Sequence, residues 1–467
     1  MRPRRFLAGG VLAFQTLVMG VFEMVSAAEA IDIAARAVDV AIEAGAQNAL
    51  ASFSRAQRFH VEARDTTISK LEHSAGSSLH LRLWSEGRHV AVASSSLDLQ
   101  DLRAAVASAL DQARYVTPDQ FAGLPDEFGQ FGGELSLIDP AVSARDDAEK
   151  IEDVLALERA IRAADPRIVN SSGSHYGDAD STIALASSSG FRGVYTATRV
   201  SRSTAPLAEE NGSKRTAHYG TAGRFMRDLE DPAAVGAVAA RRAVEMFGAR
   251  KPPTMRAAVI FERDVAAAVL DDIFSAVAAS SVAVGNSWLA ERIGDRVGSE
   301  LVTIVDDGTL PGRLGSAPFD GEGVATRRTP VFEAGVLRTF LYDSYYARKL
   351  GAATTGNSTG GGIGANNFYL EPGRGSLAEL IAATRRGVLV LDTIGFATEH
   401  ATGSYSRGAR GFMIENGELA YPIDEFTVAG NFAEMLAGVD GVASDLRFDS
   451  STVAPSFRVA EMTISGN

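Results

Sequence analysis

An α+β fold is what this sequence predicts: mainly antiparallel sheets with flanking helices, in several domains, the last of them large and rich in hairpins. Three observations predict it. Short segments of alternating apolar and polar side chains recur along the chain, interrupted by a few stretches at helical spacing. The pairs Glu86-Gly87 and Asn416-Gly417 sit between such segments, where a tight turn needs residues that accept positive φ. And 467 residues exceed one average domain, while 46 glycines against 15 prolines suit many short β connections.

Residues 1–30 read as an N-terminal extension. Arg2, Arg4 and Arg5 precede an apolar run at 6–22, and Ala28-Glu29-Ala30 resembles a cleavage site, which together make a signal-like segment. The run is too short and Gly-interrupted for a membrane span. A start at Met24 is the competing reading.

Residues 31–130 form an N-terminal α+β domain and a linker. Ile31, Ala34, Ala35, Val38 and Ile42 give helical spacing over 27–46, with Gly45 as a stop. Strands are expected at 59–63, 67–71, 79–84 and 89–93, then a helix at 99–113 opened by Asp98 or Asp101. Residues 116–140 lack a period and read as the linker.

A central domain spans 141–248. Its first helix, 141–165, stops at Asp165-Pro166 because the residue before proline avoids the helical region. Short strands at 181–186, 193–200 and 218–224 precede a helix at 231–247. The basic, proline-bearing joint 250–253 opens a C-terminal domain, 254–467, beginning with a strand at 257–261 and a helix at 264–279. Near its end, strands at 411–415 and 418–421 flank Asn416-Gly417, and 426–429 is a further apolar run. Residues 354–364, TTGNSTGGGIG, are the most flexible-looking interior segment.

The formal charge of −13 argues against nucleic acid as a partner, since phosphate contacts need a basic footprint. The absence of cysteine excludes disulfides, thiolate zinc sites and a cysteine nucleophile. None of the seven histidines lies four or five residues from another, so no helix turn offers a ready ligand pair. Asp306-Asp307-Gly308 and Asp320-Gly321-Glu322-Gly323 have turn composition. Ser404, Ser406 and His400 lack the elbow of a serine hydrolase. Tyr342, Tyr345, Tyr346 and Arg348 are of interface type, or line a half-buried helix.

Two long blocks carry a resemblance. They are SAPFDGEGVATRRTPVFEAGVLRTFLYDSYYARKLGAATTGN at 316–357 and YSRGARGFMIENGELAYPIDEFTVAGN at 405–431. Together they resemble the TldD/PmbA family, the "modulator of DNA gyrase" peptidases, and specifically its PmbA or TldE branch. The resemblance covers the chain from about residue 31 onward.

In the TldD branch the helix matching 264–279 carries H-E-x-x-x-H, two metal-binding histidines and a glutamate base. The matching positions here are Asp271, Asp272 and Ala276. The family's C-terminal cysteine ligand is also missing. The resemblance therefore implies no metal cofactor in this chain, with a metal, zinc by expectation, in a TldD-like partner subunit. It implies a cytoplasmic complex that cleaves unfolded peptides such as leader segments or antitoxin-like proteins. Tyr405 and Arg407 are the candidates for peptide contact, and no catalytic residue is expected. On the residues alone, the simplest arrangement turns one of Asp271 and Asp272 to solvent and pairs the other with a base. Two other readings stay open: a self-sufficient metallopeptidase with a nonstandard site, and an exported peptide-binding protein.

Overall fold

The computed structural model describes residues 25–395 and 398–467. The expectations for the first 24 residues fall outside that range. Helix α1 (Ala27–Glu43) starts where Ser26 and Glu29 cap each other's backbone N–H groups, at 2.8 and 3.2 Å. Its Ala30, Ala34, Ala37, Val38 and Ala41 are buried. Gly45, at φ +103°, takes the chain out of the helix. Ala28-Glu29-Ala30 thus lies in the first turn of a capped helix.

The next strands build one antiparallel sheet. They are β1 (Asn48–Arg64), β2 (Thr67–Ser85), β3 (Arg88–Ser94), β4 (Ile168–Ser187), β5 (Arg192–Glu210), β6 (Ser213–Thr216) and β7 (Tyr219–Gly223). Their order is β3-β2-β1-β4-β5-β6, with β7 also on β5. The pairing of β1 with β4, from Leu50↔Ser187 to Ala63↔Ser174, joins residues 48–94 and 168–223 in a single sheet. The two strands expected at 67–71 and 79–84 are one strand. Between them, residues 72–78 are exposed or half-buried and none is buried, so no buried face imposes alternation.

One face of this sheet packs on α1, α2 (Leu99–Ala113), α3 (Pro140–Ala144), α4 (Asp147–Ala164) and α5 (Pro232–Val244). Phe53, Leu79, Leu81 and Leu83 meet α1 and α2, while Phe59, Val61 and Tyr176 meet Val154 of α4. The single helix expected at 141–165 is two. Arg145 is extended, and Asp146 starts α4 afresh through a capping box with Glu149.

The stretch 114–139 contains neither helix nor strand. It is a strap docked on the C-terminal half. Gly129 and Phe131 donate to the carbonyls of Gly323 and Pro318, at 2.9 and 2.7 Å. The Arg348 guanidinium donates to the carbonyls of Phe121, Leu124 and Gly123, at 2.8, 3.0 and 3.2 Å. Tyr345 donates to Asp119 at 2.7 Å. The Tyr345/Arg348 group therefore serves an internal contact.

In the C-terminal half, a sheet closes on itself. Arg386–Ile394 pairs with β8 (Met255–Phe261), β8 with Phe457–Ser465, that strand with Glu418–Asn431, Glu418–Asn431 with Ser404–Glu415, and this last strand with Arg386–Ile394 again. Asn416 and Gly417 make the hairpin turn at φ +54° and +85°. Alternation sends Val259 and Phe261 into the main core, and Ile260 to a smaller cluster on the other side. Helix α6 (Arg263–Val277) follows β8, with Glu262 capping its start at Asp264 N, 3.0 Å away.

The Gly-rich stretch is tied down. The buried Asp306 carboxylate accepts from Asn357 Nδ2, Asn366 Nδ2 and Asn366 N, at 2.7, 2.9 and 2.9 Å. Asp320 accepts from Ser358 N at 2.9 Å. No helix among the described residues is long and apolar enough to cross a membrane.

Candidate functional site

A cavity of about 800 Å³ lies between the helix-free face of the first sheet and the C-terminal half. Ser201, Ser203, His218 and Gly220 line it from the sheet, and Asp264, Thr393, Arg407, Arg410 and Arg447 from the other side. The volume falls in the range of small-molecule and peptide pockets. Its arginines are already paired: Arg410 with Asp392, Arg447 with Asp449 and Glu230, Arg242 with Asp264 and Glu262. Paired guanidiniums keep fixed positions and spare N–H donors, which suits the carbonyl oxygens of an extended chain.

Beneath this cavity, α6 meets the strand Ser404–Glu415. Arg407 Nη2 lies 2.7 Å from Asp272 Oδ2, and Thr398 Oγ1 donates to the same oxygen at 3.1 Å. Asp272 is buried. Burial pushes its carboxyl above the ordinary aspartate range, against the pull of Arg407. Asp271, one position earlier and about 100° around the helix, is exposed. Ala276 is fully buried in the core.

A metal does not fit these three positions. A zinc site needs about three converging donors. Here one carboxylate is held by an arginine, the next points away, and the third side chain is a methyl group.

The two residues expected to touch peptide have different places. Arg407 lines the cavity while holding Asp272. Tyr405 is 1% exposed, its ring edge-on to Phe261 and Phe432 at 6.3 and 5.5 Å. Strand alternation puts Tyr405 on the core side, so in this arrangement it supports the site rather than lining it. Its hydroxyl, Arg407 Nε, His400 Nδ1 and Trp288 Nε1 are buried without hydrogen-bond partners among the described residues.

Sequence reasoning missed the sheet-side wall. Ser203 and Gly220 come from paired strands whose register only the fold reveals, and His218 from the link between β6 and β7. It also missed a group made by His60, Glu62 and His175, whose ligand atoms all lie within 4.8 Å of one another. The available signal was His60-x-Glu62, two donors on one face of a strand.

These features define a multi-domain α+β scaffold with a large cavity beside a helix, α6, that offers no converging metal donors. Family comparison agrees. Residues 254–466 match the PmbA/TldA metallopeptidase C-terminal domain, and residues 141–247 the PmbA/TldA metallopeptidase central domain. The chain is 35% identical over 419 residues to metalloprotease PmbA of Escherichia coli O157:H7, covering 88% of this chain and 91% of that one. It is 32% identical over 434 residues to a metalloprotease PmbA homolog of Haemophilus influenzae, covering 92% and 95%. Among solved structures, a candidate modulator of DNA gyrase from Bacteroides thetaiotaomicron superposes with a TM-score of 0.89 at 27% identity, covering 95% of this chain and all of that one. TldE from Thermococcus kodakarensis shares the fold, with a TM-score of 0.84 at 19% identity over 93% of this chain and 100% of its own. The chain belongs to the PmbA/TldD metallopeptidase family.

Proposed function

We propose that this chain is the PmbA/TldE-like subunit of a two-component TldD–TldE-type metallopeptidase that cleaves unfolded peptides. A TldD-like partner supplies the catalytic metal. This chain supplies a wall of the peptide cavity, with Arg407 on it and Tyr405 behind it.

One observation carries the reading. At the helix positions where the TldD branch holds its metal, Asp272 is neutralised by Arg407, Asp271 faces solvent and Ala276 is core. The scaffold of the catalytic helix persists while its chemistry is used up internally. Working through a partner that kept the ligands accounts for both facts. A stable pairing of this kind buries upwards of about 2,000 Å². The cytoplasm is the proposed location. The Ser26–Glu29 cap supports it, because cleavage after Ala30 would remove the cap and a buried turn of α1.

The test is to purify this chain, a TldD-like chain and their mixture, and assay each on an unstructured peptide. Cleavage by the mixture alone, abolished by mutating the partner's histidines, is expected. Cleavage by this chain alone, or failure of the two to associate, overturns the proposal.

A further inference from the structure

We propose that His60, Glu62 and His175 form a binding site for a divalent transition metal of the zinc class, at the edge of the large cavity. This is separate from the α6 positions and does not rest on the subunit reading.

The register of β1 and β4 builds the group. His60 and Glu62 are two apart on β1 and share a face. Glu62 lies directly across from His175 on β4, and His60 across from Gly177. His175 in turn faces Ser203, and Ser203 faces Gly220, both on the cavity wall. Directly opposed residues project to the same side, so all three donors look toward the cavity.

The ligand atoms all lie within 4.8 Å of one another. Around a tetrahedral ion with bonds of ~2.0–2.2 Å, donors sit roughly 3.5 Å apart. Closing that gap takes about 1 Å of side-chain rotation. The imidazoles of His60 and His175 already stack, centroids 5.7 Å apart.

Room for an ion is built into the backbone. At Gly173, where β4 shifts register, φ is +134° and the position lacks a side chain. A Cβ there would stand 3.1 Å from His175 Nε2 and 3.2 Å from Glu62 Oε1. Among the described residues, none of the three side chains is engaged in a hydrogen bond or ion pair of its own.

Two imidazoles and a carboxylate suit zinc, with cobalt and nickel as substitutes. Three protein ligands leave a position open for water or for an oxygen atom of whatever fills the cavity. The expectation of no metal in this chain rested on the lost motif histidines of α6, the missing cysteine ligand and the absence of histidines at helical spacing, and a cross-strand site lies outside all three arguments.

The experiment is zinc titration of the tag-free full chain against a chromophoric chelator, with the Co²⁺ absorption spectrum as a second readout. One ion per chain is expected, with a tetrahedral Co²⁺ spectrum. His60→Ala and His175→Ala should each weaken binding by about 100-fold and Glu62→Gln by about 10-fold. His80→Ala, on the exposed part of β2, should leave it unchanged. Circular dichroism in chelator establishes that each variant is folded. No stoichiometric binding, or binding that survives all three substitutions, overturns the proposal. Zinc lost on Asp272→Asn but kept by His175→Ala would overturn it too, and would move the metal back to α6.

Discussion

Two carboxylates, Asp272 on α6 and Glu62 on β1, look toward opposite sides of the same problem. Asp272 stands at a position that the resemblance to the TldD branch matches to a metal motif, yet an arginine and a threonine both hold its Oδ2. Glu62 stands in no motif, yet its carboxylate lies close to two imidazoles, while Lys70, directly across from it on β2, is ion-paired to Glu72 instead. A motif position does not make a site once its donors are satisfied internally. Donors left unspent and converging can make one where no spacing rule points.

The comparison can be broken most severely at Arg407. Arg407→Ala leaves Asp272 buried with no counter-charge, which costs about 3–5 kcal/mol. The double variant Asp272→Leu/Arg407→Met, lacking both charges, should recover most of that loss. Urea unfolding of wild type, single and double variants measures it. Equal losses in the single and double variants would mean that the pair holds nothing together.

Asp306 sharpens the contrast next, because it is buried with three N–H donors and no cation among its hydrogen-bond partners. Burial pushes its carboxyl up to about 6. The folded chain then keeps a proton that the unfolded chain releases near pH 4, so this group's contribution to stability falls as pH rises from about 4 to about 6. A rise of about two pH units corresponds to about 3 kcal/mol. The stability difference between wild type and Asp306→Asn should shrink by that order across the window. A difference that stays flat with pH would assign the titration to another group.

Tyr405 gives the smallest effect. Its buried hydroxyl has no hydrogen-bond partner among the described residues, so Tyr405→Phe should change stability by less than about 0.5 kcal/mol while keeping the ring packing. A loss above about 1 kcal/mol would mean that the hydroxyl is engaged after all.

How much of this was legible in the sequence follows from burial. Helix α1, the Glu86-Gly87 and Asn416-Gly417 turns, and β8 were readable because cap, glycine and apolar period agree there. The length of β2 was not, because no residue of 72–78 is buried and the alternating signal fades. The break between α3 and α4 was hidden because both sides keep helical spacing, and only Asp146 marks it. Of the site, the fate of Asp271 and Asp272 was anticipated in outline, but not that the base is Arg407 of a distant strand. Cross-strand neighbours such as Glu62 and His175 depend on register between segments far apart in sequence, and local patterns carry no trace of it.

The docked strap also has a bearing on the order of events during synthesis. Its partners, the carbonyls of Pro318 and Gly323 and the guanidinium of Arg348, leave the ribosome long after residues 114–139 have emerged. The first sheet has all its strands once Gly223 is out. For the whole interval the strap is held only by its contacts with the first sheet, such as Asp119 N–H on the Gly87 carbonyl and Phe128 stacked on Phe191, and the surface around Leu50, Trp84 and Leu185 lacks the cover that Phe319 later provides. That apolar patch is therefore the nascent chain's vulnerable moment, the place where a chaperone would be needed and where slowed translation would show first as aggregation.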